Sequence, residues 1–318
     1  MKILFITSTH IGDAVLTTGA LDYFTKTYPD AEITVACGPL VAGLFAPAPG
    51  VCSVIALKKE PYAGHWRKLA RATLGQKWDI VVDLRNSALS RLLWAKKKYI
   101  WSGKFREGHK VEQVGKVVGV SPAPSPRLWF DDATLTEADR MVAGNGPLLA
   151  IGPTANWPGK RWPQEYFIAL IKKMTAPDGF LPNARVAIFA APGEEKMAAP
   201  VLQSIPQERQ VDMIGKGKPQ LAAAALRHAA FYVGNDSGLT HLAAATGIPT
   251  LALFGYGFAE FYRPWGEHAA YVRTPETSAQ LLAPYARTRE VKSSLMTSLT
   301  VQMAYDAATA LWKKCAKG

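Results

Sequence analysis

With 318 residues, 48% of them hydrophobic and 19% charged, the chain can fill two ordinary domains, and its composition excludes a disordered or fibrous protein. Its net charge of +12 favours anionic partners, and its three cysteines (Cys37, Cys52, Cys315) lack CxxC or metal-ligand spacing, which fits reduced thiols in the cytoplasm. The opening MKILFITSTH is too short an apolar run for a signal-peptide core, and no segment reaches the roughly 20 apolar residues of a membrane helix, so any membrane contact is expected to be peripheral.

Taken in order, Lys2–Ser8 predicts a strand, then the turn Thr9-His10-Ile11-Gly12 and an amphipathic helix over Asp13–Thr27. Ala31–Cys37 and Val51–Leu57 predict strands, His65–Gly75 a basic helix, and Trp78–Leu84 a buried strand. Ala88–Lys97 predicts a helix and Lys98–Trp101 a short strand. Such alternation is the pattern of a doubly wound parallel sheet. The run Ser121-Pro122-Ala123-Pro124-Ser125-Pro126 breaks it, followed by a polar stretch with one helix at Thr136–Ala143. A domain boundary is expected there, giving domains at 1–145 and 146–318, with the option that the C-terminal helix packs back on the first domain.

The alternation then restarts. Strands are expected at Leu148–Gly152, Arg185–Ala190 and Val211–Ile214, and helices at Pro163–Met174, Glu194–Ser204 and Pro219–Ala229. The stretch Phe231–Gly255 reads as strand, tight turn, short helix and strand, with Gly247-Ile248-Pro249 stopping the helix. A tail helix is expected over Ser298–Lys314. Neither half contains GxGxxG, which weighs against a nicotinamide dehydrogenase, and no helix-turn-helix or finger pattern is present.

Positive charge is concentrated. Residues 51–120 hold 15 Lys and Arg against 5 Asp and Glu, densest from Lys96-Lys97-Lys98 through Lys104, Arg106 and Lys110, with Tyr99, Trp101 and Phe105 interleaved. A solvated surface, a nucleic-acid groove, and a face for an anionic membrane or phosphorylated glycolipid all fit this composition.

In a βαβ unit the start of the helix faces the carboxyl ends of the strands, where free N–H groups and the helix dipole favour an anion such as phosphate. Asp236, Ser237 and His241 surround that point in the Phe231–Gly255 unit, although Asp236 or Ser237 also fits a plain helix cap. Asp13 opens a helix in the same way, and there too a dipole partner is the simpler reading. Glu194 and Glu195, after the strand ending at Ala190, fit dipole complements as well. Lys160-Arg161-Trp162-Pro163 fits an exposed basic loop anchored by Trp162.

Four ordered motifs change this balance. Asp236-Ser237-Gly238-Leu239-Thr240-His241-Leu242-Ala243-Ala244, followed by Gly247-Ile248-Pro249 and Leu253-Phe254-Gly255, resembles the donor-site signature of the bacterial lipopolysaccharide heptosyltransferases, glycosyltransferase family nine. Ile11-Gly12-Asp13 with Leu16-Thr17-Thr18 resembles their N-terminal motif, Lys160 with Trp162-Pro163 their K-x-W-P, and Glu194-Glu195 lies where they carry an acidic residue. The resemblance spans nearly the whole chain. It implies an α/β, GT-B architecture, two Rossmann-like doubly wound domains facing an inter-domain cleft.

It further implies an inverting, metal-independent transferase that needs no cofactor and takes a nucleotide-sugar, ADP-heptose, as donor. Asp13 would be the general base, and Lys160 would stabilise the leaving diphosphate. Donor contacts would come from Thr154, Lys160, Glu194 or Glu195, Asp236, Ser237, Gly238, His241 and Gly255. The basic segment, with Lys96, Lys97, Lys98, Lys104 and Arg106, would meet an anionic lipid-linked core oligosaccharide at the cytoplasmic face of the inner membrane, and nucleic acid is not expected. The sequence leaves the family pattern at three places. Gly19 replaces a frequent Pro and should loosen its helix slightly. Tyr256-Gly257-Phe258 follows Gly255 in place of Pro-Thr, and Leu295-Met296 stands where many members carry cysteine. Alternatives are another donor or acceptor within the family, or a non-catalytic protein binding nucleotide-sugar or nucleic acid.

Overall fold

The computed structural model describes residues 1–285 and 290–316. The chain separates into two compact units, Met1–Asp132 with Lys218–Gln220, and Ala133–Gly217 with the chain from Leu221 onward. Both are parallel α/β sheets, the GT-B architecture.

The first unit holds β1 (Lys2–Ile6), β2 (Glu32–Cys37), β3 (Val51–Ala56), β4 (Trp78–Asp83) and β5 (Ala95–Ile100) in the order β3-β2-β1-β4-β5. Ile3, Leu4, Phe5 and Ile6 are fully buried, as are Val81 and Val82, because helices cover both faces of a parallel sheet. Strand order reverses between β1 and β4, so the loop leaving β1 opens at the switch point of this sheet.

The helix expected over Asp13–Thr27 is two helices, Ile11–Val15 and Thr18–Thr27. The Thr17 hydroxyl donates to the Ala14 carbonyl (2.7 Å) and meets the Thr7 hydroxyl (2.7 Å), while Thr18 donates to Val15 (2.7 Å) and accepts from the Arg127 amide (2.9 Å). Side-chain hydroxyls that take helix carbonyls compete with the backbone ladder and break it here. Gly19 lies in the first turn of the second helix. It allows the chain at Pro124–Ser125 to lie against that helix, since a Cβ on Gly19 would collide with both of their carbonyl oxygens.

The helix expected over Ala88–Lys97 ends at Leu92, and Lys96-Lys97-Lys98 belong to β5, the edge strand paired with β4. A row of lysines on an edge is a usual protection against pairing with another chain. The helix Lys110–Val118, not expected from the sequence, starts at an unusual cap. His109 Nδ1 accepts from the Val111 amide (3.2 Å) and Glu112 accepts from the His109 amide (2.8 Å). The polar stretch beyond the prolines carries a helix at Asp132–Met141.

The second unit holds β6 (Leu148–Gly152), β7 (Arg185–Ala190), β8 (Gln210–Ile214), β9 (Phe231–Asn235), β10 (Thr250–Phe254) and β11 (Ala269–Arg273), ordered β11-β10-β9-β6-β7-β8. Only β11 was not foreseen. The C-terminal helix Val301–Cys315 packs in this unit, its Ala304, Ala308 and Leu311 buried with Phe167, Leu170 and Phe231. Here the strand order reverses between β6 and β9, which brings the loops after those two strands side by side.

Candidate active site

In the second unit the candidate residues are arranged around two glycines. Gly152 ends β6 and Gly234 lies near the end of β9, and a Cβ on either would strike the hydroxyl of Tyr232, which is held between them. That buried hydroxyl meets Thr240 Oγ1 (3.1 Å), and Thr240 donates to the Asn235 carbonyl (2.6 Å), fixing the first turn of the helix Gly238–Ala245. Burial pushes the Tyr232 phenol well above its ordinary pKa, so it stays protonated.

Asn235, fully buried, ties the two switch-point loops together. Its Nδ2 donates to the Pro153 carbonyl (2.9 Å) and its Oδ1 accepts from the Trp162 amide (3.0 Å). Trp162 is in turn sunk among Tyr166 and Phe167, its indole N–H donating to Leu299 (2.7 Å). This arrangement aims Lys160 at the start of the Gly238 helix, where its Nζ pairs with Asp236 Oδ2 at 2.5 Å. Arg161 turns the other way, donating to the Ala155 carbonyl (2.7 Å), and so braces its own loop.

Ser237 occupies the cap position with extended backbone, but its side chain makes no capping hydrogen bond, and Asp236 is engaged by Lys160. The plain-cap reading therefore fails for both. Gly238 begins the helix, and His241 is buried one turn in. Gly255 follows β10 under Met296, whose Cγ would lie 2.6 Å from an added Cβ, so packing explains its missing side chain.

The two glutamates separate. Glu194 Oε2 accepts from the buried Thr154 hydroxyl (2.5 Å) and from the Ala191 amide (3.0 Å), joining the ends of β6 and β7. Glu195 accepts from the Gly193 amide (2.9 Å), and that backbone N–H holds its carboxyl below the usual pKa. Glu195 thus serves its own turn. Thr154, Lys160, Glu194, Asp236, Ser237, Gly238 and His241 gather at the carboxyl ends of β6, β7 and β9.

In the first unit, Asp13 sits in the first turn of Ile11–Val15, its side chain 36% exposed, with His10 Nδ1 3.9 Å from Oδ2. Lys110, which the sequence reading counted only as charge, lies within electrostatic reach of it. Its ammonium caps the Trp101 ring at 3.5 Å from the centroid, and desolvation lowers its pKa while Asp13 opposes that shift. The basic candidates split in two. Lys104 and Arg106 follow the carboxyl end of β5, the end of the sheet from which the Asp13 loop leaves β1. Lys96, Lys97 and Lys98 are on the strand itself and have local partners. Lys96 pairs with Asp79 (2.6 Å), Lys97 lies over Tyr99, and Lys98 donates to the Arg91 carbonyl (3.0 Å). Among the described residues no three His, Cys, Asp or Glu side chains converge as a metal site.

Residues 111–283, more than half of the chain, match the model of glycosyltransferase family 9 (heptosyltransferase). The chain belongs to that family. As a family 9 glycosyltransferase it is 26% identical to lipooligosaccharide heptosyltransferase 2 of Haemophilus influenzae over 318 residues, covering 87% of this chain and 89% of that one. Its fold is shared with the ADP-heptose lipopolysaccharide heptosyltransferase II of Escherichia coli, at a TM-score of 0.77 and 20% identity over 99% of this chain and 100% of that one. A family 9 glycosyltransferase of Veillonella parvula is similar at a TM-score of 0.79 and 19% identity, covering 98% and 97%. The sequence did not single out Asn235 or, beyond its charge, Lys110. A polar residue at the buried end of a strand, one position before Asp236, was the available signal for Asn235.

Proposed function

We propose that the protein moves a heptose from ADP-heptose to a hydroxyl of the lipopolysaccharide inner core, inverting the anomeric centre in one displacement. The Lys160–Asp236 pair at the start of the Gly238 helix carries this reading. It brings a cation, a carboxylate and free backbone N–H groups to a sheet's switch point, a combination suited to a sugar diphosphate. Lys160 and the helix start would grip the diphosphate, and Glu194 with Thr154 would accept and donate hydrogen bonds at donor hydroxyls. Asp13 would take the acceptor proton as the acceptor oxygen forms its bond to the anomeric carbon. The bond from that carbon to the phosphate oxygen breaks, and ADP leaves with the electron pair. Lys160 would meet both the charge the diphosphate already carries and the further charge that develops as the bond breaks, and the second contact is the one that raises turnover.

The names of the curated relatives support heptose as the transferred sugar. The test is to incubate the protein with heptose-free glycolipid and, separately, ADP-heptose, ADP-glucose and UDP- and GDP-sugars, and to weigh the products. Addition of one heptose from ADP-heptose alone is expected. A product from another nucleotide-sugar only would assign a different donor within the family.

No helix among the described residues is long and apolar enough to cross a membrane. For the acceptor side we propose a peripheral contact of the first unit with an anionic bilayer. Leu92 (74% exposed) and Trp94 (56%) support it, standing out beside Lys96, Lys97 and Lys98. The protein should sediment with vesicles containing phosphatidylglycerol and less so as salt is added, and Leu92→Ala with Trp94→Ala should reduce that binding. Equal sedimentation with neutral vesicles would remove the electrostatic contact.

A further inference from the structure

We propose that Trp157, Tyr256 and Phe258 form the face on which the donor's transferred sugar lies, and that they govern which sugar is accepted. This rests on the donor reading above and deepens it. The three rings come from two loops that both touch the Lys160–Asp236 pair. Trp157 lies three residues before Lys160 on the loop after β6, its ring folded against the bare backbone of Gly159. Tyr256 and Phe258 flank Gly257 on the loop after β10, and Gly257 runs so near Asp236 that an added Cβ would lie 2.6 Å from its Oδ2. Trp157 meets Tyr256 edge to face (5.2 Å between centroids, 62°), and Tyr256 meets Phe258 likewise (5.9 Å, 61°). The Tyr256 carbonyl is itself held by the Ser278 hydroxyl (2.7 Å). Phe258 is nonetheless 48% exposed, an apolar ring at the rim of a polar site with half of its surface open.

A sugar ring has C–H faces that suit aromatic planes and a hydroxyl rim that suits a few convergent polar groups. The rings supply the first requirement, and Asp236 with Lys160 the second. The occupant follows from the order of the strands. Thr154 and Glu194 stand on the β7 side of β6, whereas Tyr256 and Phe258 follow β10, on the far side of β9. A nucleotide-sugar whose diphosphate lies at the Gly238 helix start, between β6 and β9, can lay one end toward each side. If Glu194 takes the ribose hydroxyls, the transferred sugar is left to the rings.

The test uses the whole protein and titration calorimetry with ADP and with ADP-heptose separately. Phe258→Ala, Tyr256→Ala and Trp157→Leu are expected to weaken ADP-heptose binding about tenfold and leave ADP binding unchanged. Tyr256→Phe, which keeps the ring, should retain affinity. Equal loss for ADP and ADP-heptose would overturn the proposal, because the rings would then serve the nucleotide or the fold. Unchanged binding of both, with a raised KM for the acceptor, would also overturn it by giving the rings to the acceptor. Failure of the wild-type protein to bind any nucleotide-sugar would instead refute the donor reading, and that is read without the variants.

Discussion

If Asp13 is the base proposed above, Asp13→Asn should lower turnover by about 10²–10⁴-fold, the usual worth of general-base assistance, and leave ADP-heptose affinity at the wild-type value. The substitution is a clean one. Asp13 is 36% exposed, and its nearest ion-pair partner is His10 at 3.9 Å, so the fold loses little when the charge goes. Single-turnover kinetics with calorimetry on the same preparation separates the two effects. Loss in kcat with intact donor binding is the expected result. Wild-type turnover would take the base role away from Asp13, and weakened donor binding would turn it into a donor ligand.

Lys160→Ala has the second large effect, and it acts at two levels. Without donor, the variant strands Asp236, whose side chain is 10% exposed, beside a missing cation. Leaving one member of such a pair alone costs more than the pair contributes, so Tm should fall, and the double variant with Asp236→Asn should recover part of the loss. With donor, the diphosphate loses a charge-assisted contact, and ADP affinity should fall roughly 10- to 100-fold. Calorimetry on ADP, beside a melting curve for each variant, reads both levels. Unchanged ADP affinity in Lys160→Ala would confine the lysine to its partner Asp236.

What the sequence made legible was local. β9, β10 and the helix between them fall within a residue of the pattern of apolar runs and Gly-Pro punctuation, because a buried parallel strand is a short apolar block with a sharp end. What it hid depends on contacts between distant residues. The break after Val15 needs Thr17 to find Thr7, and the purpose of Gly19 appears only with Pro124 laid across it. The lysines of β5 carry no alternation to mark a strand, so the preceding helix was read through them. Glu194 and Glu195 are chemically alike and adjacent. Only the turn at Gly193 sends one to Thr154 and keeps the other at home.

The same holds for Asn235 and Lys110. Asn235 acts through Pro153 and Trp162, residues 82 and 73 positions away, and a list of likely ligands passes over a side chain whose partners are backbone groups. Lys110 was counted as one charge among many, yet its seat on Trp101 near Asp13 separates it from the lysines of the edge strand.

The Tyr232 hydroxyl couples Gly152, Gly234 and Thr240 at the tips of β6 and β9. With the tyrosine present, neither Gly152 nor Gly234 can acquire a methyl group. Shortening it to phenylalanine would remove the tether to Thr240 and still leave both positions tight, with Leu239 Cδ2 2.9 Å from an added Cβ on Gly152 and the Gly152 carbonyl oxygen 3.0 Å from one on Gly234. A change at the tips of β6 and β9 must therefore accommodate the ring, the Leu239 side chain and the backbone of the neighbouring strand at once.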